Sequence, residues 1–219
     1  MQVNKIFDGV YKIKNKLATK NLVPGVKVYD EELIKIEDIE YRTWNPYRSK
    51  LSASILNGLS ELSIKKDSNV LYLGASTGTT ASHVSDIVGI NGTVYAVEIS
   101  KRSMVDLLNL CDKRHNMLPL FEDAGNTESY GKDIENIDVI YQDIAAPNQA
   151  QILIKNSVFI KKGASSYVAI KSQSIDVSKD PKQVFEEFIS EISGTFSVIQ
   201  KVRIEPFDKL HLFLHLKKK

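Results

Sequence analysis

Apolar and polar positions follow two different periods along this chain, and the change of period divides it. Up to about residue 44 the repeat is two: "GVYKIK" and "ELIKIEDIEY" alternate, and "LVPGVKVY" sets apolar residues either side of a Pro-Gly turn. Alternation punctuated by turn residues predicts short strands, so residues 1–50 are assigned to a small antiparallel β module and the joint that follows it. Leu51, Ile55, Leu59 and Leu62 then recur at helical spacing. Asn45 suits the cap of that helix and Pro46 its first position, where a missing N–H costs nothing, which puts Lys50 one turn in.

Beyond residue 68 strand and helix patterns alternate. "NVLYLG", "GTVYAVEIS", "MLPLFED", "IDVIYQDI" and "SSYVAIKS" read as strands. "TTASHVSDIVG", "KRSMVDLLNLCDKRH", residues 147–161 and residues 181–193 read as helices. Such alternation predicts an α/β fold with a mostly parallel sheet covered on both faces, occupying residues 51–219. Only "EPFDKL" separates the final runs "TFSVIQKVRI" and "HLFLHLKK", too short for a crossover helix, so the last strand should be antiparallel.

Composition narrows the picture only a little. With 219 residues, 42% hydrophobic and 26% charged, the chain suits one sizeable core with a small appended module. A formal net charge of +2 permits a nucleic-acid partner without demanding one. The single cysteine, Cys111, leaves no disulfide framework and fits a reducing cytoplasm. No apolar run reaches membrane-spanning length, so no membrane is expected.

Chemistry enters at "VLYLGASTGTT", where Gly74, Ala75 and Gly78 follow a strand and precede a helix. Thr79 and the missing Lys break a P-loop, and Ser76 with Thr79 breaks the dinucleotide fingerprint. Glu98, ending the next strand, suits the two hydroxyls of a ribose, and Asp123, ending the third, an adenine amino group. A ribose acid and an adenine acid without a phosphate cradle suit S-adenosylmethionine (SAM). Lys50, Asp143, Lys171 and His211 fall where they can converge over its methyl group. His211 and His215 share a strand face, but no acid or thiol cluster accompanies them and no metal is expected.

"YRTWNPYRSKLSASI", "VLYLGASTGTTASHVSDIVG", "VYAVEIS", "DVIYQDIAAPNQ", "AIKS" and "EPFDKLHLFL" resemble the fibrillarin family in its short archaeal form, from about residue 4 to 216. The resemblance implies a Rossmann-like class I SAM-dependent methyltransferase that modifies ribose 2′-hydroxyls of ribosomal and transfer RNA. It implies work inside a ribonucleoprotein with a box C/D guide RNA, a Nop-family scaffold protein and a kink-turn-binding ribosomal-type protein. The family's Lys-Asp-Lys-His tetrad falls on Lys50, Asp143, Lys171 and His211. Its cofactor contacts fall on Thr79, Thr80, Glu98, Ile99, Asp123, Ala124, Asp143, Ile144, Ala145 and Ala146. Ile99 stands in place of an aromatic, Ala146 of a Gln, and Leu210 of an acid beside the His.

Arg42, Arg48 and Lys50 are the candidate RNA contacts, while Trp44 reads more simply as packing. The proton acceptor is left open between a lysine and Asp143. Two rivals share the cofactor half: a structural, SAM-binding ribonucleoprotein subunit, and a small-molecule methyltransferase. Short strand-to-helix connections, with no lid insertion, favour an RNA substrate.

Overall fold

Five short strands open the chain, in a computed structural model that describes residues 2–219. They are β1 (Val3–Phe7), β2 (Val10–Ile13), β3 (Lys16–Lys20), β4 (Leu33–Ile36) and β5 (Ile39–Thr43). All pair antiparallel in the order β1-β2-β3-β5-β4. The segment "LVPGVKVY" is not a strand but a loop, because side chains capture its backbone amides. Glu31 accepts Val28 N and Tyr29 N, Glu40 accepts Gly25 N, and Asp86 accepts Leu22 N. An amide already satisfied by a carboxylate is lost to a sheet ladder.

The first helix also starts later than the cap signals suggest. Asn45 Oδ1 takes Tyr47 N at 2.9 Å and closes a turn around Pro46, so it caps nothing. Ser49 is the cap, accepting Ser52 N, and α1 runs Lys50–Leu56. Lys50 is therefore its first residue, not one turn in. Leu59 and Leu62 lie beyond the helix, although both are buried.

The larger sheet contains β6 (Asn69–Leu73), β7 (Thr93–Val97), β8 (Met117–Leu120), β9 (Ile137–Gln142), β10 (Ile160–Lys171), β11 (Phe196–Arg203) and β12 (His211–Lys218). Their order is β11-β12-β10-β9-β6-β7-β8, and β12 alone runs against the rest. The expected antiparallel closing pair is present. Connecting helices are α2 (Thr79–Val88), α3 (Lys101–Cys111), the single turn α4 (Thr127–Tyr130), α5 (Gln149–Asn156), the short α6 (Ser172–Ile175) and α7 (Pro181–Ile192). Separate apolar layers lie on the two faces of this sheet. One of them takes in Val10, Leu17 and Trp44, so the N-terminal sheet shares a core with the larger one. Because the chain reverses its direction of growth at β6, the carboxyl ends of β6, β7 and β9 leave a crevice.

Candidate active site

That crevice is a cavity of about 650 Å³, and most of the expected cofactor contacts line it. Gly74, Glu98, Ile99, Asp123, Ala124, Asp143, Ile144, Ala145 and Ala146 are on its wall, together with Lys171. Glu98 and Asp143 each follow the last ladder residue of their strand, and Asp123 lies three residues past β8. Gly74, at φ +83°, lets two of these strand ends meet: a Cβ there would sit 2.8 Å from the Asp143 carbonyl oxygen.

Glu98 is nearly buried, and its two oxygens accept Ser76 N and Ser100 N, each at 2.7 Å. A carboxylate has about four acceptor positions, so both oxygens keep one for a further donor. Asp123 Oδ1 accepts Gly125 N at 2.7 Å, and the side chain remains exposed to the cavity. Ile99 is 63% exposed on the same wall and offers an aliphatic face to a flat ring.

Four expected contacts stand behind the wall. Ala75, Gly78, Thr79 and Thr80 do not line the cavity but shape the loop into α2. Gly78, at φ +88°, is the N-cap of α2, and a side chain there would collide with Leu110. Thr80 is buried and donates to Ser49 Oγ at 3.0 Å, tying α2 to the cap residue beside Lys50. Ser76, Ser100, Asn126, Asn148 and Lys155 line the cavity without having been expected there. Ser76 and Ser100 follow strand ends, a signal shared by most loops, while Asn126 and Asn148 lie farther along the connections and Lys155 lies within α5.

Three of the four reactive candidates come together around Asp143, and His211 stands beside one of them across the ladder. Lys50 Nζ lies 3.1 Å from Asp143 Oδ1, and Lys171 Nζ lies 2.8 Å from the same oxygen. Lys171 Nζ also donates to the Asp143 carbonyl at 2.8 Å. All three side chains are partly shielded, at 22%, 14% and 18% exposure for Lys50, Asp143 and Lys171. His211 opens β12 directly across the ladder from Lys171. Burial pushes its imidazole below the ordinary 6.5, against the opposing pull of Asp208, and Lys50 lowers it further. His211 faces a second groove, of about 600 Å³, between α7 and β11.

The arginines separate. Arg48 is half exposed, with its guanidinium 5.5 Å from the Tyr29 ring and 4.0 Å from Asp30. Arg42 is a correction, because its side chain is fully buried and cannot meet an RNA phosphate. Its guanidinium is held by Glu31 at 2.8 Å and Asp86 at 2.9 Å, between the N-terminal sheet and α2. Trp44 is buried beside it and stacks on His83, ring centroids 4.8 Å apart.

The chain as a whole has well-described relatives. The Fibrillarin family model matches residues 1–219. A fibrillarin-like rRNA/tRNA 2′-O-methyltransferase of Methanocaldococcus jannaschii is 48% identical, over 97% of this chain and 95% of its own. Aeropyrum pernix fibrillarin, solved in complex with natively bound S-adenosyl-L-methionine, superposes with a TM-score of 0.90 at 40% identity, covering 99% of this chain and 98% of its own. A fibrillarin solved in a fibrillarin/Nop5p complex superposes with a TM-score of 0.89 at 38% identity, over 96% of this chain and 98% of its own.

Proposed function

From a chain that belongs to the fibrillarin family, we propose a SAM-dependent ribose 2′-O-methyltransferase of ribosomal and transfer RNA, directed by a box C/D guide RNA inside a ribonucleoprotein. The observation that carries this reading is the placement of Lys50, Asp143 and Lys171 in one ion-paired group at the rim of the cavity that Glu98 and Asp123 line.

The residues present fit SAM. Glu98 has a free acceptor position on each oxygen for the ribose hydroxyls, Asp123 is open to the adenine end, and Ile99 covers a ring face. When bound, the cofactor supplies an electrophilic methyl group. Everything else falls to the protein. Asp143, fixed by two ammonium groups, holds Lys50 and Lys171 where the nucleophilic oxygen must arrive. Two cations against one carboxylate leave positive charge facing the oxygen as it becomes anionic, and such preorganised charge acts where water is excluded. In-line transfer depends on alignment, and the double grip of Asp143 on Lys171 restricts the site to one geometry.

The partner expected from the fibrillarin/Nop5p complex is a Nop-family scaffold, with a kink-turn-binding protein and the guide RNA completing the particle. A net charge of +2 supports that dependence, since the lone chain has little charge with which to hold RNA. Among the described residues no helix is long and apolar enough to cross a membrane. The test is methyl transfer from labelled SAM to an RNA paired with a box C/D guide, with and without the partner proteins. Guide-dependent transfer to one ribose is expected. Transfer to a small acceptor, with none to RNA in the assembled particle, would overturn the reading.

A further inference from the structure

Leu210 leaves His211 without an acid immediately before it, yet the imidazole is not alone. The carboxylate of Asp208, three residues earlier, lies 2.5 Å from His211 Nδ1. The contact is short but bent, with Asp208 Oδ1 off the axis of the ring N–H. Among the described residues that buried nitrogen has no aligned hydrogen-bond partner, and the Asp208 carboxylate is the charged group set against it. We propose, on the methyltransferase reading above, that Asp208 is a positioning residue that fixes the proton of His211 on Nδ1, and that His211 Nε2 accepts the proton of the ribose hydroxyl.

The carboxylate is itself aimed. Asp208 Oδ1 accepts Leu210 N at 3.1 Å, so the backbone of Leu210 orients the acid that its side chain does not supply. The Leu210 carbonyl is anchored in turn by Ser172, through Oγ at 2.9 Å and N at 3.3 Å. Ser172 follows Lys171, and therefore the end of β10 that presents the lysine also fixes the loop that presents the histidine. At the loop's other end Asn57, just past α1, donates to the carbonyls of Arg203 and Glu205 at 2.8 and 2.6 Å. Tyr47 meets Phe207 edge-to-face at 5.1 Å. The segments carrying Lys50, Lys171 and His211 are thus cross-linked.

The alternatives for the proton are occupied. Lys171 spends its ammonium on the carboxylate and carbonyl of Asp143, and Lys50 spends its own on the same carboxylate. Losing a proton from either would forfeit charge-assisted bonds. Asp143 already accepts both lysines. A neutral imidazole with Nδ1–H toward a carboxylate keeps a bare lone pair on Nε2. The charged groups around it are Asp208, Lys209 and Glu205 on its own loop, Lys50 on α1, Asp143 after β9, Lys171 across the ladder, and, in the adjoining groove, Lys201 and Arg203 on β11 with Asp180, Lys182 and Glu186 at the start of α7. Burial keeps the ring neutral at pH 7, while Asp208 stabilises the imidazolium once it forms. In the step, the ribose O–H bond breaks and its proton forms the Nε2–H bond. The oxygen's electron pair goes to the methyl carbon, whose former bonding pair stays on sulfur. The imidazolium then returns its proton to solvent.

The test pairs nitrogen NMR of His211 in the free protein with single-turnover methylation in the assembled particle, for wild type, Asp208→Asn and Asp208→Glu. Wild type should show the Nδ1–H tautomer. Asp208→Asn should move the ring toward Nε2–H and lower its pKa, and Asp208→Glu should restore both in part. The Asn variant should methylate about 10- to 100-fold more slowly, inside the range that general base catalysis supplies, with SAM affinity unchanged. The acid limb of its rate profile should follow the His211 pKa downward. A wild-type ring already protonated on Nε2, or a tautomer and pKa unmoved in Asp208→Asn, would overturn the positioning role. An acid limb indifferent to Asp208 would overturn Nε2 as acceptor. Because the NMR arm needs no substrate, a particle that methylates nothing would instead count against the function proposed above.

Discussion

Two charge clusters in this protein use the same residue types for opposite ends. One lies between the N-terminal sheet and α2, where Arg42, Arg114, Glu31 and Asp86 are all within 1% of full burial, His83 among them. The other is Lys50, Asp143, Lys171 and His211, each with 14% to 22% of its side chain exposed. In the buried cluster two cations meet two carboxylates, and the charges cancel. In the open cluster the two lysines meet one carboxylate, Asp143, while the nearby Asp208 is set against His211, so the lysine pair carries a charge in excess. Buried charge must be matched, since an unpaired ion there costs several kcal/mol. A partly shielded site can carry an excess, which is what an oxygen turning anionic requires. The number of carboxylates and the access of solvent separate a weld from a reactive site.

The most direct way to break the comparison is to take the central acid from the weld. Asp86 accepts Arg42, Arg114, Thr19 Oγ1 and Leu22 N. Asp86→Ala leaves Arg114 buried without a carboxylate partner and should cost about 3–5 kcal/mol of stability. Urea midpoints measure this. The methylation rate per folded molecule should stay near wild type, and a large fall in that rate at full folding would erase the distinction between the clusters.

Next in size is the loss of a cation from the open cluster. Lys171→Ala should slow single-turnover methylation by about 10²- to 10³-fold, as expected for one preorganised group stabilising developing charge. Urea midpoint and SAM affinity should change little. The double change with Lys50→Ala should cost less than the product of the single effects, because both lysines act through Asp143. A Lys171→Ala protein that methylates normally would end the catalytic assignment.

Glu98 lies between the two cases, being nearly buried yet committed to backbone amides and not to cations. Glu98→Ala should weaken SAM binding by about 1–3 kcal/mol in calorimetry. An unchanged affinity would mean that the cavity holds the ribose elsewhere.

The two clusters were also unequally legible. Lys171, Asp143 and Glu98 stand at or one residue past the carboxyl ends of parallel strands, so period and topology together point at them. Arg42 misleads because its neighbours Trp44, Arg48 and Lys50 make a cationic, aromatic stretch. Its partners, Glu31 and Asp86, lie 11 and 44 residues away, and only the fold brings them near. The start of α1 offers two local caps of similar quality, and the choice rests on Asn45 closing its own turn. Asp208 is hidden for a simpler reason: the sequence draws attention to Leu210, while the loop folds back to supply the acid from two residues earlier.

The smallest expected effect separates the imidazoles themselves. His83 is buried, with Nδ1 2.8 Å from Thr19 Oγ1 and Nε2 2.7 Å from the Tyr29 hydroxyl. Burial, then Arg42 and Arg114, pushes its pKa well below the ordinary 6.5, so the folded protein resists a proton that the unfolded chain accepts. The contribution is complete above pH 6.5 and is lost as pH falls beneath it, by at most about 1.4 kcal/mol per pH unit for one such group. His215 and His211 are lowered too and add in the same direction. Glu31, held down by Val28 N, Arg42 and Tyr29 N against its burial, adds only nearer its ordinary 4.5. Urea midpoints at pH 7, 6 and 5 should therefore fall with acidity in wild type and fall less in His83→Gln, whatever that variant's stability at pH 7. His211→Gln should flatten the slope less, since its ring is half-buried and Asp208 favours the protonated form. A His83→Gln slope equal to wild type would show that the weld tolerates an imidazolium, and that charge balance does not distinguish it from the open site.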